Sequence, residues 1–149
     1  MKSPWYYNGE LFTSDDLEKD KLVIGFVYLI TNLSSDKKYM GKKLFYSKKI
    51  TQKNLKKKKV KVESDWKSYF GSCEELKQDV KSLGEENFKR EILHLCKAKG
   101  VLNYLELSEQ VENKVLLRDD YYNSFVGSKI HRSHLEKYLK EVLEASKKS

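Results

Sequence analysis

GFVYLITNLSSDKKYMGKK, residues 25–43, reads as two short strands joined by a polar turn. Residues 25–31 are apolar, β-branched and aromatic, 32–37 carry turn formers, and 38–41 close with Tyr39 and Met40. Period-2 alternation puts Phe26, Tyr28 and Ile30 on one face and Val27, Leu29 and Thr31 on the other. Tyr28 and Tyr39 fall on adjacent strands, followed at once by Gly41, Lys42 and Lys43. Two phenols beside ammonium groups make a place for a phosphodiester; the plainer alternative is two tyrosines that simply pack.

Upstream, Trp5, Tyr6 and Tyr7, then Asn8-Gly9, then Glu10, Leu11 and Phe12 predict a small hairpin with a two-residue turn. Thr13 can cap a short helix from Ser14 to about Asp20, with acids in its first turn as the helix dipole prefers. Residues 1–24 thus form a leader that packs aromatics on the core. Downstream, 44–62 is a basic insertion containing Lys48, Lys49, Lys53, Lys56, Lys57, Lys58, Lys59 and Lys61 and no acid. Like charges this dense repel, so the segment is expected to be mobile or poorly ordered unless phosphates neutralise it. It is either a solvated loop or an arm for the DNA backbone.

Order resumes at Ser64-Asp65-Trp66, where Trp66, Tyr69 and Phe70 supply a local core. Ser72 with Glu75 has capping-box spacing and predicts a helix over 73–83 that stops at Gly84, burying Leu76, Val80 and Leu83. Residues 88–95 alternate as a third, central strand. A helix over 101–117 follows, with Leu102, Leu105, Val111 and Val115 on its apolar side, and a loop at 119–123. Ser133 with Glu136 opens a last amphipathic helix, whose stripe of Leu135, Tyr138, Leu139, Val142 and Leu143 is expected to face the core. The order predicts an α+β domain: a small mixed three-stranded sheet flanked by helices, with an N-terminal hairpin and helix and a C-terminal amphipathic helix. The domain runs over 25–123, and 124–149 is a helical extension.

With 149 residues, 39% hydrophobic and 35% charged, the composition is that of one globular domain. The net charge of +8 comes mainly from lysine, and a basic surface favours polyanions, nucleic acid foremost. Cys73 and Cys96 are too few and too far apart for a disulfide framework or a zinc site, and the three histidines show no zinc arrangement. No apolar run approaches a membrane span and no signal segment is evident, which implies action in the compartment of synthesis.

Val27-Tyr28 and Tyr39-Met40-Gly41, with Tyr69-Phe70-Gly71-Ser72, Gly84, Asn87-Phe88, Glu106 and Tyr122-Asn123 in order behind them, resemble the GIY-YIG nuclease domain over about residues 25–123. The pattern is similar to phage proteins related to free-standing homing endonucleases. The resemblance implies DNA as partner, phosphodiester hydrolysis, cytoplasmic action in a host cell, a divalent metal (Mg²⁺, with Mn²⁺ as alternative) and no small-molecule cofactor. Tyr28 and Tyr39 match the motif tyrosines, one of which serves as general base or positions water. A phenol needs its pKa lowered for the first task, by the metal or by lysines, and Lys42 and Lys43 are placed to lower it. Glu106 matches the metal-binding glutamate, with Glu109 as the alternative; Asn103 followed by Glu106 also has capping-box spacing, which would make Glu106 structural. Asn123 matches the terminal asparagine that organises the site, although an Asx turn explains it as well. Phe26 replaces the first motif glycine, with Gly25 one position early. The family's arginine is absent, with Lys48 and Lys49 in its region and Lys42 or Lys43 as substitutes. A catalytically weak or inactive nucleic-acid-binding protein on the same fold is therefore the alternative.

Overall fold

The computed structural model describes residues 3–53, 56–127 and 130–147, with the side chains at 49–53, 56–59, 130, 134, 137 and 142 outside the described set. It begins with a hairpin, β1 (Trp5–Tyr7) and β2 (Glu10–Phe12), turned at Asn8 and Gly9 with φ of 52° and 80°. Both angles are left-handed, as the tight turn between twisted strands requires. Helix α1 (Ser14–Lys19) starts as expected: the Thr13 N–H donates to Asp16 Oδ2 at 2.8 Å.

The quoted stretch becomes β3 (Gly25–Asn32) and β4 (Lys38–Leu44), and residues 88–95 become β7 (Phe88–Cys96). Their sheet has five strands in the order β2-β1-β7-β3-β4. Of the three expected strands, β3 is antiparallel to both its neighbours β4 and β7, and β7 is central in the five-stranded order. The mixed character comes from β1, which runs parallel to β7, so the leader extends the sheet. Arg90 of β7 locks it there: fully buried, its guanidinium donates to Ser3 O, to Tyr69 O at 2.7 Å and to Lys67 O at 2.9 Å. Burial lowers its pKa to about 10, which leaves it charged at neutral pH.

Both sheet faces are covered. Phe26, Tyr28 and Ile30 join Trp5, Phe45, Trp66, Leu76 and Phe88 on one side, where α2 (Glu74–Leu83) packs. Val27 meets Leu102 of α3 (Lys99–Glu112) on the other, and Met40 meets Val115, Leu116 and Tyr121. Helix α3 begins two residues earlier than expected and stops at Glu112; Val115 is buried beyond its end, and Val111 is exposed. Leu83 of α2 is exposed as well.

Two expectations are corrected. The lysine-rich insertion forms an antiparallel ribbon, β5 (Tyr46–Lys53) and β6 (Lys56–Glu63). Ile50, Thr51, Val60 and Val62 favour extended backbone, and the ladder pairs the main chain despite the like charges. After β8 (Phe125–Val126) and β9 (Ile130–His131), a 3₁₀ turn at Arg132–Leu135 takes the place of the Ser133 cap and leads into α4 (Glu136–Lys147). Its stripe is divided among the described side chains: Leu135 touches the Met40 cluster and Leu139 is half-buried, whereas Tyr138 and Leu143 are exposed. No helix among the described residues is long and apolar enough to cross a membrane.

Candidate active site

Strand β4 is the outer strand of the sheet, and a cleft of about 730 Å³ lies against it. Tyr28, Tyr39, Gly41, Lys42, Ser72 and Glu106 line it, with Tyr122, Asn123 and Phe125 beyond. Tyr28 sits opposite Gly41 in the ladder, and a Cβ on Gly41 would stand 2.5 Å from the Tyr28 hydroxyl oxygen. Glycine is needed there for space: it leaves room for a phenol from the neighbouring strand. The β3–β7 register also slips between Val27 and Tyr28, an irregularity of the kind that re-aims a side chain beside a site. Gly71, at φ +88°, gives Tyr39 its seat, since a Cβ there would crowd the Tyr39 ring at 3.2 Å.

The two tyrosine rings lie 6.2 Å apart. Burial holds the Tyr28 phenol well above its ordinary pKa, helped by the neighbouring Tyr69 and Tyr39. Burial raises Tyr39 too, against a 3.1 Å hydrogen bond with the Ser72 hydroxyl. The expectation that Lys42 and Lys43 lower these values is corrected, because each ammonium has another partner. Lys42 Nζ lies 3.8 Å from Glu106 Oε1 and donates to Asn103 Oδ1. Lys43, on the opposite face of β4, bonds Asp65 Oδ1 at 2.6 Å, lies 4.1 Å over the Tyr69 ring, and does not line the cleft. Both shifts favour the neutral phenol.

The two candidate carboxylates point to different surroundings. Ala98 is the N-cap of α3, so Asn103 lies inside the helix and the capping alternative for Glu106 falls. Glu106 lines the cleft with its side chain 17% exposed. Burial raises its pKa while Lys42 pulls it down, so its charge is only partly compensated. Glu109 lies outside the cleft lining: its Oε1 is 2.8 Å from His94 Nε2, and its Oε2 accepts from Asn113 Nδ2 at 3.2 Å.

A divalent ion of the kind the family implies fits this donor set. Among the described residues no three His, Cys, Asp or Glu side chains cluster. Magnesium commonly uses one or two carboxylates and fills its shell with water and substrate phosphate oxygens. Glu106 supplies such a carboxylate, and one turn on, the buried Oε1 of the cleft residue Gln110 has no hydrogen-bond partner.

Asn123 does more than turn the chain. Buried, it accepts from Met40 N at 3.0 Å and donates to Met40 O at 2.8 Å, so its amide pairs with β4 as a neighbouring strand would. Tyr122 beside it donates to Asp79 Oδ2 at 2.6 Å and accepts from Asn32 Nδ2. The predicted Ser72–Glu75 box gives way to other bonds: Cys73 is the N-cap of α2, Ser72 holds Tyr39, and Glu75 pairs with Lys37. Ser72 is thus a cleft residue that sequence reasoning also offered as a cap, and Tyr69, outside the cleft lining, packs edge-on against Tyr28 with ring centroids 6.0 Å apart. Both belong to the Tyr69-Phe70-Gly71-Ser72 run quoted for the resemblance.

None of the arginines lines the cleft; among the described lining residues Lys42 is the cation. Lys48 and Lys61 lie away from it, facing each other across the ribbon. The side chains of Lys49, Lys53, Lys56, Lys57, Lys58 and Lys59 fall outside the described residues, although their backbone forms the ribbon.

Strand tyrosines meeting over a glycine gap, with a helix carboxylate facing the same cleft, are the arrangement expected of the GIY-YIG nuclease class. Residues 5–126 match the family described as "Putative endonuclease segE, GIY-YIG domain", and the chain belongs to that family. The match takes in the leader hairpin as well as the later motifs. No curated protein and no solved structure matches the chain.

Proposed function

We propose that this protein is a divalent-metal-dependent DNA endonuclease, similar in role to free-standing phage homing enzymes, which hydrolyses a phosphodiester lying in the cleft along β4. The observation that carries the reading is the convergence of Tyr28, Tyr39, Lys42 and Glu106 on that cleft. Glu106 would hold the ion, Mg²⁺ or in its place Mn²⁺, which when bound supplies positive charge for the developing phosphorane. Tyr28 and Tyr39, kept protonated by burial, orient the attacking water by hydrogen bonding. Lys42 adds a point charge at the phosphate, and Asn123 keeps β4 in line.

The test is nicking of supercoiled plasmid with Mg²⁺ and with chelator. Wild type is expected to nick only with the ion. Glu106→Ala should lose at least about a hundredfold in rate, the scale of a lost electrostatic stabiliser, with DNA affinity nearly unchanged. Glu109→Ala should still cleave. If instead Glu109→Ala is dead and Glu106→Ala active, the metal assignment is reversed. One observation favours a second reading, a binder without cleavage: the cleft offers Lys42, a point charge, where the family has a bidentate arginine. Binding without nicking on several DNAs, phage genomic DNA among them, would establish that reading.

A further inference from the structure

The cleft does not end at Lys42. A depression of about 460 Å³ shares Lys42 and Asn103 with it and reaches Lys99; a second, of about 710 Å³, shares Lys99 with the first and ends at Lys48 and Lys61, at the foot of the β5–β6 ribbon. Lys97 lines the second beside Lys99. Apolar side chains lie among these cations, Leu44 in both depressions, Leu102 in the first and Ile24 in the second.

The path therefore combines ammonium groups with an apolar surface, as a deoxyribose–phosphate chain requires. Its cations are available. Lys97 reaches Asp20 only at 3.8 Å, with both side chains largely exposed, a pairing worth little in water. Lys61 Nζ lies 4.0 Å over the Tyr46 ring, which holds it in position. The first turn of α3, which the path crosses, carries no acidic side chain.

We infer that this trough is a second phosphate-binding track, along which the backbone of DNA leaving the cleft passes Lys99 and Lys97 to the foot of the ribbon. The inference rests on the nuclease reading above and adds a direction to it. Cleft and ribbon engage one continuous length of DNA, so the protein covers the backbone mainly to one side of the scissile phosphate.

The test measures binding of a labelled duplex by the full chain, in chelator, over a range of salt concentrations. The variants are Lys97→Gln with Lys99→Gln and, as a control of equal charge change, Lys81→Gln with Lys89→Gln. The track pair should weaken binding at least about tenfold at 0.1 M salt and reduce the slope of log K against log salt by roughly 0.9 for each phosphate no longer neutralised. The control pair should change affinity less than about twofold. Equal losses in both pairs would mean that net charge alone acts, and the track is overturned. An unchanged slope in the first pair, with wild-type binding and nicking intact, overturns the track and leaves the nuclease reading standing. If wild type neither binds nor nicks DNA, both fall. An unchanged melting temperature in each variant keeps the comparison free of folding effects, since these lysines are exposed.

Discussion

The two long hairpins have nearly the same backbone and opposite chemistry. β3 is apolar and buried on both faces, with Phe26, Val27 and Ile30 fully enclosed, and β4 buries Tyr39, Met40 and Gly41 beside it. β5–β6 places Lys48 opposite Lys61 and Lys53 opposite Lys56, pairs that oppose rather than support association. Geometry needed to within fractions of an ångström is held in the first, where neighbours fix each rotamer. For the second, the proposed task is attraction to a polyanion, which depends on charge. Extended backbone serves both.

The sharpest way to break the contrast is to crowd the buried hairpin. Gly41→Ala puts a methyl group 2.5 Å from the Tyr28 hydroxyl and should cost about 1–3 kcal/mol as well as cleavage. Adding Tyr28→Phe should recover part of the melting temperature and none of the nicking. Full activity in Gly41→Ala would show that the close approach does not matter. In the other hairpin, changing Lys56, Lys57, Lys58 and Lys59 to Ser should leave the melting temperature level or slightly raised. It should weaken binding to every sequence alike, flattening the salt dependence by roughly 0.9 in slope for each phosphate the ribbon ceases to neutralise. Selective loss on one sequence would instead mean that the ribbon reads bases. The smallest effect is expected at the hinge between the hairpins, where Lys43 holds the Asp65 carboxyl below its ordinary value of 3.8. A depressed folded pKa stabilises above that ordinary value, and the contribution is lost as pH falls through the folded value. Asp65→Asn should thus melt slightly below wild type at pH 7, and the two curves should converge in acid.

Local pattern made the first hairpin, the Asn8-Gly9 turn, the Thr13 cap and the paired tyrosines legible, because each is decided by residues within a few positions. Ser72 was hidden by ambiguity: the same Ser and Glu that spell a capping box are used by Tyr39 and Lys37, and only the fold brings those partners near. The parallel union of β1 with β7 joins residues more than eighty positions apart and leaves no periodic trace. The ribbon was obscured by its charge, since repulsion among lysines argues for disorder until main-chain pairing is counted. The capping alternative for Glu106 could be removed only when the start of α3 placed Asn103 inside the helix. His94, an unremarkable strand residue in the sequence, is what holds Glu109 elsewhere.

The leader strand also guards the edge of the sheet. β1 lies along β7, and the sheet ends instead at β2, three residues long. Without residues 3–12 the main chain of β7 at Arg90–Ile92 would lose its pairing with β1 and be open to any passing strand, and Arg90 would lose the Ser3 carbonyl it binds. Short edge strands are how folded proteins avoid sticking to copies of themselves. A version trimmed to begin at Gly25, with every motif tyrosine in place, should therefore be recovered as aggregate.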